Sequence, residues 1–301
     1  MPTIDISEED MNLFKRLMCK WFNIGCETEP PPPPPPPPPT GTSRGDLFFG
    51  YYAGGAVLEF ADHCNILHIG SWGDWETPGG RQVILDNFIN QIQAALGHGI
   101  ANVILTLDWC VFTPTWQRLP DAEARGNLRS FFNALDAQNL LWPVRAVYPV
   151  DEPDNAGISN ADMVAVNSMI RSVMSEYVHL NYKPLAVTYG DRSGKGGPTP
   201  GIASFDWCGF DNYGAPIFTN GEYDYFVSKL TPTQRTTILP GGSTPWKQDP
   251  TPFYNKAQAD PRVVLIFPFM WFDNGGQQGV KTDGMAPAYR AVGMPIKAAQ
   301  P

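Results

Sequence analysis

From residue 46 onward, short apolar runs alternate with longer stretches in which apolar residues recur every three or four positions. Eight runs read as strands: Leu47–Tyr52, Asn65–Gly70, Asn102–Asp108, Val144–Val150, Leu185–Tyr189, Ser204–Asp211, Thr236–Leu239 and Val263–Phe269. Most are near-continuous apolar blocks, the pattern of parallel strands covered on both faces. The stretches between them read as helices. Arg81–Leu96 gathers Val83, Ile84, Phe88, Ile92 and Ala95 on one face. Asp121–Ala137 gathers Leu128, Phe131, Phe132 and Leu135, and Ala161–Val178 gathers Val164, Val166, Ile170, Val173, Met174 and Tyr177. Shorter helices are predicted near Tyr223–Leu230, Phe253–Ala259 and Ala286–Ala291. The glycine-rich connection Gly190–Gly201 predicts little or no helix. Strands alternating with helices imply an α/β fold with a parallel sheet. Residues 46–301 match the size of a (β/α)8 TIM barrel, ~250 residues. An open doubly wound sheet is the alternative, but GYYAGG after the first strand does not match the phosphate-binding GxGxxG.

The first 45 residues follow a different pattern. Residues 1–26 predict one amphipathic helix, with Ser7 as N-cap and Glu8, Glu9 and Asp10 in the first turn. Met11, Phe14, Leu17, Met18, Trp21 and Phe22 recur at helical spacing, and Asn23 and Gly25 are stop signals. A single short helix is marginal alone, so its stripe must dock. The barrel, another protein and a symmetric helix bundle are the candidates. The segment 27–45 carries ten consecutive prolines, Pro30 to Pro39. A polyproline II run of that length spans about 30 Å and acts as a stiff spacer. The expected organisation is therefore a docking helix (1–26), a polyproline linker (27–45) and a barrel (46–301). Residues 7–22 would bind a protein partner. A proline ligand for SH3-like modules is the rival reading of the run.

Composition narrows the functions. The 301-residue chain has a formal net charge of -9 and no basic cluster, which argues against a nucleic-acid partner. No apolar run approaches the ~18 residues of a membrane span. The acidic start MPTIDISEED does not resemble a secretory signal. Five cysteines, Cys19, Cys26, Cys64, Cys110 and Cys208, are odd in number and include no CxxC, so they read as reduced thiols. Four histidines, His63, His68, His98 and His179, show no metal-ligand spacing. No GxSxG elbow is present. Neither a metal nor another cofactor is expected.

The candidate chemistry sits at the strand ends. In WPVRAVYPVDEP, Trp142–Pro153, an apolar run meets Asp151 and Glu152, and Pro153 cannot extend a ladder. That places two acids at the C-terminal lip of strand 4, where barrel enzymes hold catalytic groups. Other strand ends carry similar residues: Tyr51 and Tyr52 after strand 1, and SWGDWE with Trp72, Asp74, Trp75 and Glu76 after strand 2. Asp108 and Trp109 end strand 3, and Asp211, Asn212 and Tyr213 end strand 6. Trp246 follows strand 7, and Trp271 and Asp273 follow strand 8. Aromatic faces stack on sugar rings while carboxylates read hydroxyls, and glycoside hydrolysis needs one protonated and one ionised carboxyl. Each residue also has a packing or capping alternative.

These strand ends make the chain resemble the TIM-barrel glycoside hydrolases, in particular the clan with an Asn-Glu-Pro acid/base motif after strand 4. Here the tripeptide is Asp151-Glu152-Pro153, and the resemblance implies that Glu152 is the general acid/base. Trp271 resembles that clan's aromatic residue on strand 8. The clan's nucleophile follows strand 7, where this chain reads TTILPGGST and has no acid. Asp211, Asp108 or Asp273 is expected to supply the second catalytic carboxyl, with Asp211 the first choice and Asp108 the second. Trp72, Trp75, Trp109, Asp151, Asn212, Tyr213, Trp246, Trp271 and Asp273 are expected to bind substrate. A docking helix, a stiff spacer and a carbohydrate-type domain together look like a bacteriophage tail-associated protein. The expected function is hydrolysis of a cell-envelope or surface polysaccharide from a virion. The alternatives are a glycan-binding or structural virion protein without catalysis, and a bacterial cytoplasmic enzyme with an interaction tail.

Overall fold

The computed structural model describes residues 44–300 apart from 53, 54, 56, 71–76 and 275. The expected docking helix, the polyproline run, Trp72 and Trp75 all lie outside the described residues. The expected strand-helix alternation is present. The strands are β1 (Phe48–Phe49), β2 (Leu67–Ile69), β3 (Val103–Thr106), β4 (Val144–Tyr148), β5 (Ala186–Tyr189), β6 (Trp207–Asp211), β7 (Arg235–Leu239) and β8 (Val263–Ile266). The helices are α1 (Val57–Phe60), α2 (Pro78–Gly97), α3 (Asp108–Val111), α4 (Asp121–Asp136), α5 (Asn160–Met174), α6 (Glu222–Ser228), α7 (Thr251–Ala259) and α8 (Ala286–Ala298). The connection after β5 has only two 3-10 turns, Asp191–Lys195 and Ile202–Ser204.

All strand pairs are parallel. One ladder runs β1-β8-β7-β6-β5 and a second runs β2-β3-β4. Two seams close them into a barrel. Bridges Val147–Leu185 and Asp151–Thr188 join β4 to β5. At the other seam the Asn65 amide donates to the Phe49 carbonyl at 3.1 Å, and the Phe49 amide donates to Asn65 Oδ1 at 2.8 Å. Close strand packing explains Gly209, whose added Cβ would sit 2.1 Å from Thr237 Oγ1 on the neighbouring strand.

Side chains divide into two apolar layers. Phe48, Ile104, Tyr148, Trp207, Leu265 and Phe267 belong to the cluster inside the barrel. Outward-facing strand residues meet the helices in a larger outer layer. The helix faces follow the predicted spacing, with two instructive differences. Val83 is 64% exposed, because Ile84, Phe88, Ile92 and Ala95 already define the stripe of α2 and Val83 lies about 100° around the helix from Ile84. The last helix continues well past Ala291 despite Pro295, since Val292 and Ile296 extend its buried face. There Gly293 lies directly against the His63 carbonyl and the Phe49 ring, an approach that any side chain would block. Among the described residues no helix is long and apolar enough to cross a membrane.

Candidate active site

The C-terminal mouth holds a cavity of about 140 Å3 lined by Tyr52, Asp151, Glu152, Thr188, Asp211, Tyr213, Leu239 and Phe269. Each wall residue follows from its position at a strand end. Beyond Tyr148 the chain keeps two further contacts with β5. Asp151 bridges Thr188, and the Glu152 amide donates to the Thr188 carbonyl at 3.0 Å. Then the chain turns sharply. Glu152 has φ of +41°, and its carbonyl accepts from the amides of Asn155 at 2.9 Å and Ala156 at 3.0 Å. A left-handed glutamate is sterically disfavoured and costs on the order of 1–3 kcal/mol, the kind of strain concentrated at functional sites. The turn leaves Glu152 half-buried, with Asn155 Nδ2 donating to Oε2 at 2.9 Å.

The three acids have different surroundings. Tyr148 donates to Asp151 Oδ1 at 2.6 Å while accepting the Thr188 amide at 3.1 Å, and Tyr52 also hydrogen-bonds Asp151. Asp151 is half-buried as a residue, and its carboxyl is turned inward onto the hydroxyls of Tyr52 and Tyr148. That burial, with the nearby Glu152 charge, pushes its pKa up to about 6 against the opposing tyrosine hydrogen bonds. Asp211 is 8% exposed and hydrogen-bonds both Glu152 and Tyr213. Burial first, then the charge and hydrogen bond of Glu152, raise its pKa to about 9. Between those two values Asp211 holds a proton and Asp151 is ionised. One small cavity therefore offers a proton donor and a carboxylate, the pairing that acid/base chemistry at an acetal needs.

An aromatic wall adjoins the acids. Tyr213 stacks on Phe269 with ring centroids 5.5 Å apart and 16° between planes, and Trp246 lies 5.2 Å from Tyr213 on the open side. Below, Tyr52 packs on His68 at 4.7 Å and on Phe267 at 5.4 Å. His68 accepts from or donates to Thr106 Oγ1 at 2.9 Å, and burial pushes its pKa down to about 3. It is a neutral packing residue under the acids. Leu239, at the end of β7, gives the cavity an apolar side where no carboxylate stands.

The chain superposes on a β-1,4-galactanase, one of two fungal enzymes described together, with a TM-score of 0.53 and 12% identity, covering 82% of this chain and 98% of that one. It superposes on a GH113 β-1,4-mannanase with a TM-score of 0.51 and 10% identity, covering 84% and 97%. No protein-family model matches the sequence, and no curated protein matches it. The fold is a TIM barrel of the kind glycoside hydrolases use. At these identities the likeness concerns the fold alone.

The barrel brings together four residues expected from the sequence: Glu152, Asp211, Asp151 and Tyr213. Trp246 stands beside them. Asn212 is turned aside and donates to Glu222 Oε2. Asp108 is buried at the start of α3, where its Oδ1 accepts the Trp109 amide at 2.8 Å, and its charge is felt by Tyr52. The structure does not bring Trp109, Trp271 or Asp273 to the cavity. Trp109 is 5% exposed and lies against Phe131 at 5.2 Å, in the outer layer. Trp271 is 4% exposed, packs on Tyr51 at 4.9 Å and donates to Glu59 at 2.9 Å. Asp273 holds its own loop, accepting from the Gly279 amide at 2.9 Å and from Thr282.

Sequence reasoning overlooked Tyr148, Thr188, Leu239 and Phe269, and noted Tyr52 without a role. Strand parity could have found two of them. Residues 265, 267 and 269 alternate inward on the last strand, so Phe269 is the aromatic that reaches the mouth. Tyr148 shares the inward parity of Ala146 on β4. The tyrosines' hydrogen bonds to Asp151 have no signature in the sequence.

Proposed function

We propose that this barrel hydrolyses a glycosidic bond, using a proton shared between Asp211 and Glu152 and the carboxylate of Asp151. The observation that carries this reading is the hydrogen-bonded Asp211–Glu152 pair in one cavity with Asp151, itself held by Tyr52 and Tyr148. Glu152 is the half-exposed member of the pair and stands toward the substrate. It protonates the leaving oxygen, drawing on the proton that Asp211 retains to about pH 9. A carboxyl that keeps its proton is no base in neutral solution. This reading therefore gives Asp151 the task, activating water or facing the developing positive charge, that the sequence left to Asp211 or Asp108. Tyr213 and Trp246 offer ring faces for a sugar beside the acids.

The substrate in this reading is a cell-envelope or surface polysaccharide. The neighbours described as a β-1,4-mannanase and β-1,4-galactanases support a barrel with a glycan at this mouth. The N-terminal pattern of helix and polyproline spacer supports attachment through residues 7–22 to a phage tail. Release of reducing ends from bacterial envelope polysaccharides, measured for the intact protein and for Glu152→Gln, tests the chemistry. Release lost in the variant supports the assignment; equal release by both refutes it.

One observation favours a second reading, a barrel that binds glycan without cutting it. Asp211 and Glu152 touch, closer than the ~5–5.5 Å or ~6.5–9.5 Å separations of retaining and inverting pairs, and Leu239 fills the strand 7 side. Glycan binding without any release of reducing ends would decide for it.

A further inference from the structure

The opposite mouth of the barrel carries chemistry that hydrolysis does not use. A cavity of about 500 Å3 opens below the starts of β4, β5, β6 and β7. Four cationic side chains line it, Arg145, Arg171, Lys183 and Arg235, with Asp206 as the one acid. Asp206 is already committed. Its Oδ2 accepts from Arg171 at 2.7 Å and from the Leu185 amide at 2.8 Å. The other three cations have no such partner. Arg145 lies over the Phe48 ring, 4.9 Å from its centroid, and Arg235 influences Asp46 only through its charge. Among the described residues no carboxylate forms a salt bridge with Arg145, Lys183 or Arg235.

This arrangement opposes the charge of the rest of the molecule. The whole chain carries a formal charge of -9, yet here three positive groups face one cavity. Lys183 is half-buried, and burial together with the Arg145 charge lowers its pKa. Arg145 and Arg235 are exposed at the opening, and like charges gathered at one opening attract a counter-charge. The buried Trp207 adds an apolar surface to the same cavity.

We infer that this basal cavity binds an oxyanion, a phosphate or phosphate ester, between Arg145, Lys183 and Arg235. The two arginines supply planar N–H forks suited to paired oxygens, and Lys183 supplies a point charge beside them. The inference stands independently of catalysis at the other mouth.

Calorimetric titration of the whole protein at low ionic strength tests it, with inorganic phosphate and a sugar monophosphate as probes. Chloride at matched ionic strength and the unphosphorylated sugar serve as blanks. Saturable binding of either phosphate, absent with both blanks, is expected. Arg145→Gln and Arg235→Gln should each weaken it at least about tenfold, the loss of one charge-assisted hydrogen bond. Glu152→Gln should bind phosphate as the parent does. Melting temperatures of the glutamine variants matching the parent show that their losses of binding are not misfolding, and Arg145→Lys with Arg235→Lys, which keeps the charge but not the forks, should bind more weakly than the parent. Tighter binding of the sugar phosphate assigns the site to an ester, and equal binding assigns it to the free ion. Absence of saturable phosphate binding overturns the inference. So does parental affinity in the doubly substituted glutamine variant.

Discussion

The two mouths of this barrel are built from the same eight strands and carry opposite chemistry. At the C-terminal mouth three carboxyls, Asp151, Glu152 and Asp211, crowd one cavity and relieve their repulsion by sharing protons. At the N-terminal mouth Arg145, Lys183 and Arg235 line another, and its two guanidiniums cannot discharge in the same way. Carboxyls lose their charge when buried at moderate pH, whereas guanidinium stays charged. A cluster of acids can therefore become a proton store, while a cluster of arginines can only seek an anion. The difference lies in side-chain chemistry: a buried carboxyl can take up a proton, whereas a guanidinium cannot give one up.

The largest expected effect breaks the acid mouth. Glu152→Gln or Asp211→Asn should lower turnover of a cleaved polysaccharide about 10²–10⁴-fold, the usual worth of a general acid. Reducing-end release reads it directly, and a loss under threefold would remove the pair from catalysis. Next in size is the pH profile. Activity should rise as Asp151 ionises near pH 6 and fall as Asp211 loses its proton near pH 9, giving a bell with those two limbs. Its absence would leave the acids without their proposed division of labour.

A smaller effect concerns the scaffold shared by both mouths. Gly209→Ala should cost about 1–3 kcal/mol in chemical denaturation, because its Cβ would meet Thr237 on the adjacent strand. The smallest effects sharpen the contrast between the ends. Asp211 has a raised pKa when folded, so the folded chain holds a proton that the unfolded chain releases. Stability is fullest below the unfolded value of 3.8 and is lost as pH rises through about 9. Asp211→Asn should accordingly raise the melting temperature, by more at pH 8 than at pH 4. Lys183→Gln should add less than about 1 kcal/mol at neutral pH, diminishing with salt. Parallel melting curves across pH for the Asp211 variant and the parent would contradict the assigned protonation.

Much of this was legible in the chain. All eight strands were, because a parallel strand buried on both faces is a continuous apolar run, and few other elements look like that. The abrupt stop at Asp151-Glu152-Pro153 located the mouth. The aromatic residues were harder. Trp271 and Trp109 have the composition of a sugar platform, but each sits one structural step past the strand, where the chain turns into the outer layer. Phe269 and Tyr148 reach the cavity through inward parity, which requires knowing where each strand ends. The basic mouth was invisible for a related reason. Arg145, Lys183 and Arg235 are separated by dozens of residues and form no run. Only closure of the barrel makes them neighbours.

The left-handed turn at Glu152 bears on how an uncut glycan could be captured for crystallography. Asparagine and glycine adopt that backbone far more readily than glutamine does. Glu152→Asn should keep the left-handed turn, with its easier backbone offsetting the hydrogen bonds from Asn155 and Asp211 that the shortened side chain gives up. Soaked with oligosaccharides, such crystals would display the ligand whole, with the Asp211 carboxyl and the Tyr213 ring still in place to receive it.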